Sequence, residues 1–241
     1  SDERIRGMAV GSADQIYQVG VTSSNSVSSG GGTISLVGIP QAGFIARTDS
    51  SGSTGGIAVL SNAIAEDVAV ASNGDIYVVG EITGASDLLP GGGFANTPPN
   101  TSNAFIWKLD ASFNTIWVKT LPTASAEANA STIEIDDQDN LYIVGEFSGT
   151  IDLDINGTTP LGQSYTSTAG EDLYILKTDS AANFKKYQVV TGDGNELVMG
   201  SDISVSANRF AITGFTDSNG MNFSGNTISN FTTASRKVYS A

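Results

Sequence analysis

The side chains that most often move protons in enzymes are missing from this chain, which has neither histidine nor cysteine. Serine–histidine triads, thiol nucleophiles and zinc sites built on imidazole or thiolate are therefore excluded. Carboxylates remain. Acids that could act in pairs stand at Glu66 and Asp67, at Glu81, at Glu146, and at Glu171 and Asp172. Two such groups flanking a glycosidic bond can hydrolyse it. Glu81 and Glu146 each follow the Gly of one recurring phrase, "YVVGE" and "YIVGE", so a repeated strand end is the competing reading of both.

One segment has the spacing of an oxygen-ligand metal loop. "DLDING" sets Asp152, Asp154 and Asn156 at alternate positions ahead of Gly157, as at the opening of a calcium loop. No distal bidentate Glu follows at the required spacing, and the corresponding places in other copies read "SDLLPGG" and "GMNFSGN". A turn rich in Asp and Asn is the alternative to calcium, the one cofactor the sequence suggests. The Gly-rich stretches "SSGGGT" at Ser28 and "PGGG" at Pro90 lack the following Lys and the strand-to-helix setting of a phosphate cradle, and read as loops. Phe105, Trp107 and Trp117 could stack on a sugar, but Trp107 sits in a phrase apolar on both faces, which favours the core.

The elements that would position these groups repeat. A Gly closes a short apolar run in "QIYQVG" at Gly20, "DIYVVG" at Gly80, "NLYIVG" at Gly145 and "RFAITG" at Gly214. A second phrase follows the first three and ends in Asp: "GFIARTD" at Asp49, "AFIWKLD" at Asp110, "DLYILKTD" at Asp179. A third apolar phrase precedes each Gly, at Met8, Val68, Ile133 and Ile203, and a fourth follows each Asp, at Gly56, Thr115 and Lys185. Each unit of about 60 to 70 residues thus offers four short strands separated by turn residues. No 3.6-residue apolar period appears that would supply crossover helices, so parallel α/β is disfavoured. "SNAIAEDV" at Ser61 and "PTASAEANAS" at Pro122 read as connections between units.

The expected fold is all-β: a β-propeller of four-stranded antiparallel blades with about four repeats, at 5–60, 66–121, 131–190 and a truncated 200–241. A two-sheet sandwich explains the strands but not their ordered recurrence. Because the fourth repeat stops near "RKVYSA", the expectation is part of a longer propeller, whose bare faces need further blades or a partner subunit. A closed four-bladed ring is the alternative.

Composition limits the partners. The 241 residues carry a formal net charge of -14, with 25 acidic against 11 basic side chains, so a nucleic acid would be repelled. No apolar run has the roughly 18 residues of a membrane helix. The opening Ser1-Asp2-Glu3 has neither an initiator Met nor the shape of a signal peptide, as expected of a processed or excerpted chain.

From Asn140 to Val190 the sequence resembles the bacterial β-propeller repeats called SBBP, in which a "G-N-x-Y-x-x-G" strand precedes a "D-x-F-x-x-K-x-D" strand and a "G-N-x-x-W" strand. Lys108 to Asp110, Trp117, Lys177 and Asp179 match; Arg47 replaces the Lys in the first copy. The resemblance implies a module of a larger secreted or surface-displayed bacterial protein, used in adhesion or display. The functional expectation is a non-enzymatic scaffold that binds protein or glycan through the long connections between second and third strands. A carboxylate-based glycan-active enzyme and a purely structural subunit of a surface assembly are the rivals.

Overall fold

The computed structural model describes residues 2–29, 32–87, 95–96, 102–121, 127–156, 164–204, 209–223, 226–229 and 237–240. The described chain is all-β and antiparallel, without α-helix. It forms two compact units, Ser1–Lys119 and Thr120–Ala241.

In the first unit, repeat one is a meander of Glu3–Val10, Ile16–Thr22, Ala42–Thr48 and Thr54–Ser61. Repeat two follows the same order with Ala63–Val70, Ile76–Ile82, Asn103–Leu109 and Thr115–Thr120. Its first strand packs on the sheet of repeat one, and Tyr17, Val19, Ile45, Val68, Val78, Phe105 and Trp107 form one core. Residues Ile76 to Gly80 are buried on both faces, as expected for a strand between two layers.

In the second unit, the first strand of repeat three is split into Glu127–Ala128 and Thr132–Ile135, both paired to Leu141–Ser148. Asp172–Thr178 and Phe184–Gly192 complete the sheet. Repeat four has Glu196–Ser204, Arg209–Thr216 and, where "RKVYSA" lies, Lys237–Ser240. Its first strand packs on repeat three around Val144, Leu173, Val190, Val198 and Ile212.

The recurring Gly has a mechanical cause. The first strand of repeats one, two and four bulges at Arg6, Glu66 and Met199, next to the residue that pairs with Gly20, Gly80 and Gly214. A bulge tips the strand's carbonyls out of the ladder. A Cβ on Gly20 would stand 1.9 Å from the Arg4 carbonyl oxygen, one on Gly80 1.9 Å from that of Ile64, and one on Gly145 2.0 Å from that of Asn129. The bulge also breaks strict alternation, which is why "SNAIAEDV" reads as a connection although Ala63–Val70 is a strand and Asn62 alone is the link. Of "PTASAEANAS", residues 122–126 lie outside the described residues, and Glu127–Ala128 is strand.

The recurring Asp caps a three-residue turn. In Asp136–Asn140 and Asp179–Asn183 one carboxylate oxygen accepts the N–H groups two and four residues on, at 2.9 to 3.0 Å, and the closing Asn donates its amide back to the carboxylate. Asp49 and Asp110 likewise accept the N–H groups two and four residues on, at 2.8 to 2.9 Å, with the Asn114 amide donating back to Asp110 and the Ser51 hydroxyl donating to Asp49. The fourth residue of each turn has positive φ: Gly52, Phe113, Asp139 and Ala182, as a type I turn with a G1 bulge requires. The Lys before this Asp lies opposite the Tyr of the Gly phrase. Lys108 pairs with Tyr77 and binds Asp75 at 2.8 Å, while Lys177 pairs with Tyr142 and binds Asp136 at 3.1 Å. Arg47 uses its fork differently, donating to the Gly55 and Ala111 carbonyls at 2.9 and 3.0 Å.

The long second-to-third connections are not simple loops. Each contains a hairpin: Ser26–Ser29 with Gly32–Ser35, Ser86–Asp87 with Ala95–Asn96, Thr150–Asp152 with Ser164–Thr166, and Gly220–Phe223 with Asn226–Ser229. The last of these also extends the outer edge of repeat three by pairing with Phe184–Gly192.

Candidate functional site

The two ends of each meander differ. One end has the three-residue turns. The other has the hairpins and the links between repeats, since strands that alternate in direction bring both to the same end. In the first unit the link Asn62 donates its N–H to the Gln41 carbonyl at 2.8 Å, and its carbonyl accepts from Thr83 at 2.8 Å. In the second unit Glu196 N–H donates to Glu171 at 2.7 Å and the Asn195 carbonyl accepts from Asp217 at 3.2 Å. The hairpin ends are polar and small, with hydroxyl pairs Ser28–Thr33 at 2.9 Å and Thr150–Thr166 at 2.8 Å across the ribbons.

Behind this end, at the junction of repeats three and four, lie three buried acids: Glu146, Asp172 and Glu196. Glu146 fills the break in the first strand of repeat three. Its Oε2 accepts from the Ser131 hydroxyl at 2.6 Å, its N–H donates to Asn129 Oδ1 at 2.8 Å, and its Oε1 accepts the Val198 N–H of repeat four at 2.7 Å. Tyr174 donates to the Asn129 carbonyl at 2.7 Å. Burial raises the Glu146 carboxyl above its ordinary value despite these bonds, and burial together with Glu146 pushes the Tyr174 phenol well above its own.

Glu196 Oε1 accepts from Thr216 Oγ1 at 2.9 Å and from the Ser218 hydroxyl. Asp172 Oδ2 accepts from the N–H and hydroxyl of Thr168, at 2.8 and 3.2 Å. Burial, then the facing Asp172, pushes Glu196 up to about 7, although the Ser218 and Thr216 hydroxyls work against it. The carboxyls of Asp172 and Glu196 face each other and are closed to solvent. That differs from the open pair, about 5 to 9.5 Å apart, that flanks a glycosidic bond.

The remaining candidates are spread out. Glu66 is a bulge residue 3.4 Å from Arg6, and Asp67 accepts from the Val68 N–H at 2.9 Å. Glu81 is half-buried on its strand, and Glu171 points outward while its neighbour Asp172 points in. Asp152 Oδ1 accepts from the Asp154 N–H at 2.9 Å, Asp154 is buried, and Asn156 Nδ2 donates to the Ala182 carbonyl and to Asn183 Oδ1 at 3.0 and 2.8 Å. Gly157 lies outside the described residues. Among the described residues no group of three or more acids is arranged to hold a metal ion. Phe105 and Trp107 are core, with Trp107 Nε1 donating to Thr115 Oγ1 at 3.0 Å, and Trp117 meets Tyr77 edge-on. The three aromatics therefore form no common platform. Of the two Gly-rich stretches, residues 28, 29, 32 and 33 belong to a hairpin, and "PGGG" is outside the described residues.

Glu196 is the residue that reading the sequence for paired acids misses. Its signal is a longer pattern, Glu196 with Thr216 and Ser218, which repeats Glu3 with Thr22 and Ser24. No family model matches the chain, and none of the curated proteins matches it. No helix among the described residues is long and apolar enough to cross a membrane.

Proposed function

We propose that the chain is a propeller-type binding module of the SBBP kind, displayed as part of a larger secreted or surface protein of a bacterium. The observation that carries this reading is the asymmetry of the repeats: three-residue turns at one end, hairpin-bearing connections at the other. Segments that are long, polar and held on a rigid sheet are where binding residues concentrate. Blade-like stacking is supported by the way the first strand of repeat two lies on repeat one and that of repeat four on repeat three.

The same comparison supports a covering partner. Ile5, Met8 and Val10 are 56%, 63% and 69% exposed. In repeat two the register equivalents of Ile5 and Met8, Ala65 and Val68, are buried against repeat one, and that of Val10, Val70, is half-buried. A further blade or a partner subunit fits that apolar face.

The test is loop replacement. Exchanging Ser26–Ser35 for a short Gly-Ser turn leaves the melting temperature nearly unchanged, while capture of protein or glycan ligands on arrays falls. Binding unaffected by replacing each hairpin in turn would overturn the reading. Turnover of a polysaccharide, lost when a single carboxylate is removed, would favour the glycan-active enzyme instead.

A further inference from the structure

Glu196 Oε2 is buried and, among the described residues, receives no hydrogen bond. Its sister oxygen takes two hydroxyls. Across the junction Asp172 shows the same imbalance: Oδ2 takes both donors of Thr168, and among the described residues Oδ1 has only the Gly192 N–H at 3.3 Å. The backbone closes tightly over this place, since a Cβ on Gly192 would stand 2.3 Å from Glu196 Oε1. Two ionised carboxylates are acceptors only. A hydrogen bond between them requires a proton on one.

We propose that Glu196 and Asp172 share one proton across the junction of repeats three and four, and that losing it in mild alkali loosens the first strand of repeat four from repeat three. The titratable groups around Glu196 do nothing to neutralise a second charge. Asp172 faces it from the start of the third strand of repeat three; Glu171, whose carbonyl accepts the Glu196 N–H, turns its side chain outward, and Glu146, with Tyr174 beside it, binds Val198 two residues further along the strand. Asp193 lies in the connection before it and Asp217 beside Ser218. Ionising both carboxyls puts two like charges side by side where water does not reach. The ties that then remain include the bonds from the Val198 N–H to Glu146 and from the Glu196 N–H to the Glu171 carbonyl.

The direction of the effect follows from linkage. Glu196 rises from 4.5 to about 7 on folding, so between those values the folded chain keeps a proton that the unfolded chain has released. The clasp contributes fully below 4.5, and its contribution is lost as the pH rises through about 7. Over that interval the unfolding constant rises by about tenfold per pH unit for one retained proton.

The experiment is urea unfolding of the full chain from pH 5 to 8.5, with Glu196→Gln and Glu146→Gln. The wild type loses stability as the pH rises. Glu196→Gln removes the part of that slope that reaches up to about 7, because its amide donates to Asp172 at every pH, while Glu146→Gln keeps that part. Should Glu196→Gln fail to fold, carbon-13 NMR of the wild-type side-chain carboxyls supplies the readout, with Glu196 titrating near 7. A flat wild-type profile, a slope unchanged in Glu196→Gln, or one abolished by Glu146→Gln alone would overturn the proposal. So would stabilisation of the wild type by calcium at pH 8 that Glu196→Gln abolishes, which would assign the pair to a cation.

Discussion

The carbonyl oxygen of Ile64 lies 1.9 Å from where a Cβ on Gly80 would stand. The oxygen belongs to the backbone of a strand paired on both sides of the clash, so it cannot swing away as a side-chain tip would. Gly80→Ala is expected to cost on the order of 3 kcal/mol, at the upper end of overpacking. Gly52, with φ of 78° and nothing near its Cβ position, is the control: Gly52→Ala costs about 1 kcal/mol from backbone conformation alone. Equilibrium denaturation of the two variants checks the contrast, and equal costs would mean that the bulged strand yields.

Acid weakens the turns. Burial opposes the charge on Asp136, but the bonds from Asn140, from Lys177 and from backbone N–H groups outweigh it and hold the carboxyl below 3.8. Asp179 is held down in the same way by Asn183 and Ala181. Stability from these groups is complete above 3.8 and disappears as the pH falls below it through their lowered folded-state values. Asp136→Asn should cost about 1 kcal/mol at neutral pH, given the partial exposure of the pair, and should flatten the acid limb of a melting profile. An acid limb as steep as that of the wild type would place the sensitive groups elsewhere.

The Asp152–Asn156 segment distinguishes a turn from a calcium loop by its response to the metal. Asp152 caps Asp154, and Asn156 is bonded to the Ala182–Asn183 turn. As a hydrogen-bonded turn, the segment loses about 1 kcal/mol in Asp152→Ala, and millimolar calcium leaves the melting temperature unchanged. A rise in melting temperature with calcium, abolished by Asp152→Ala, would make the segment a metal site.

Met8 and Val68 occupy one register position in successive repeats, opposite Gln18 and Val78. Met8 is exposed and Val68 buried. Met8→Ser with Val10→Ser should change folding stability by no more than about 0.5 kcal/mol, while Val68→Ser should cost about 2 kcal/mol or more. Light scattering of the double variant should fall below that of the wild type at equal concentration if this apolar face seeks a cover. Unchanged scattering would mean that it does not.

Much of the local structure was legible because it has local causes. The Asp turns close through hydrogen bonds spanning five residues, so Asp110 and Asn114 alone mark one. The strands Ile76–Ile82 and Leu141–Ser148 show their double burial in unbroken apolar runs. The bulges were not legible, because one extra residue at Glu66 shifts alternation by one and turns a strand pattern into an apparent connection. The hairpins inside the long connections were hidden by short, polar, Gly-rich strands whose pairing has little apolar signature.

The acid pair marks the boundary between the two kinds of information. The chain carries a motif and its duplicate in Glu3, Thr22 and Ser24 and in Glu196, Thr216 and Ser218; in both the Glu takes the two hydroxyls and the Ser N–H closes on the Thr hydroxyl, at 3.0 and 2.9 Å. Both are set by the pairing of a first strand with its second. Packing of the sheets sets the two apart, leaving Glu3 exposed and burying Glu196 against Asp172. The physical reason is that hydrogen bonds within a hairpin depend on neighbours in the chain, whereas desolvation of a carboxyl depends on what the next sheet brings over it.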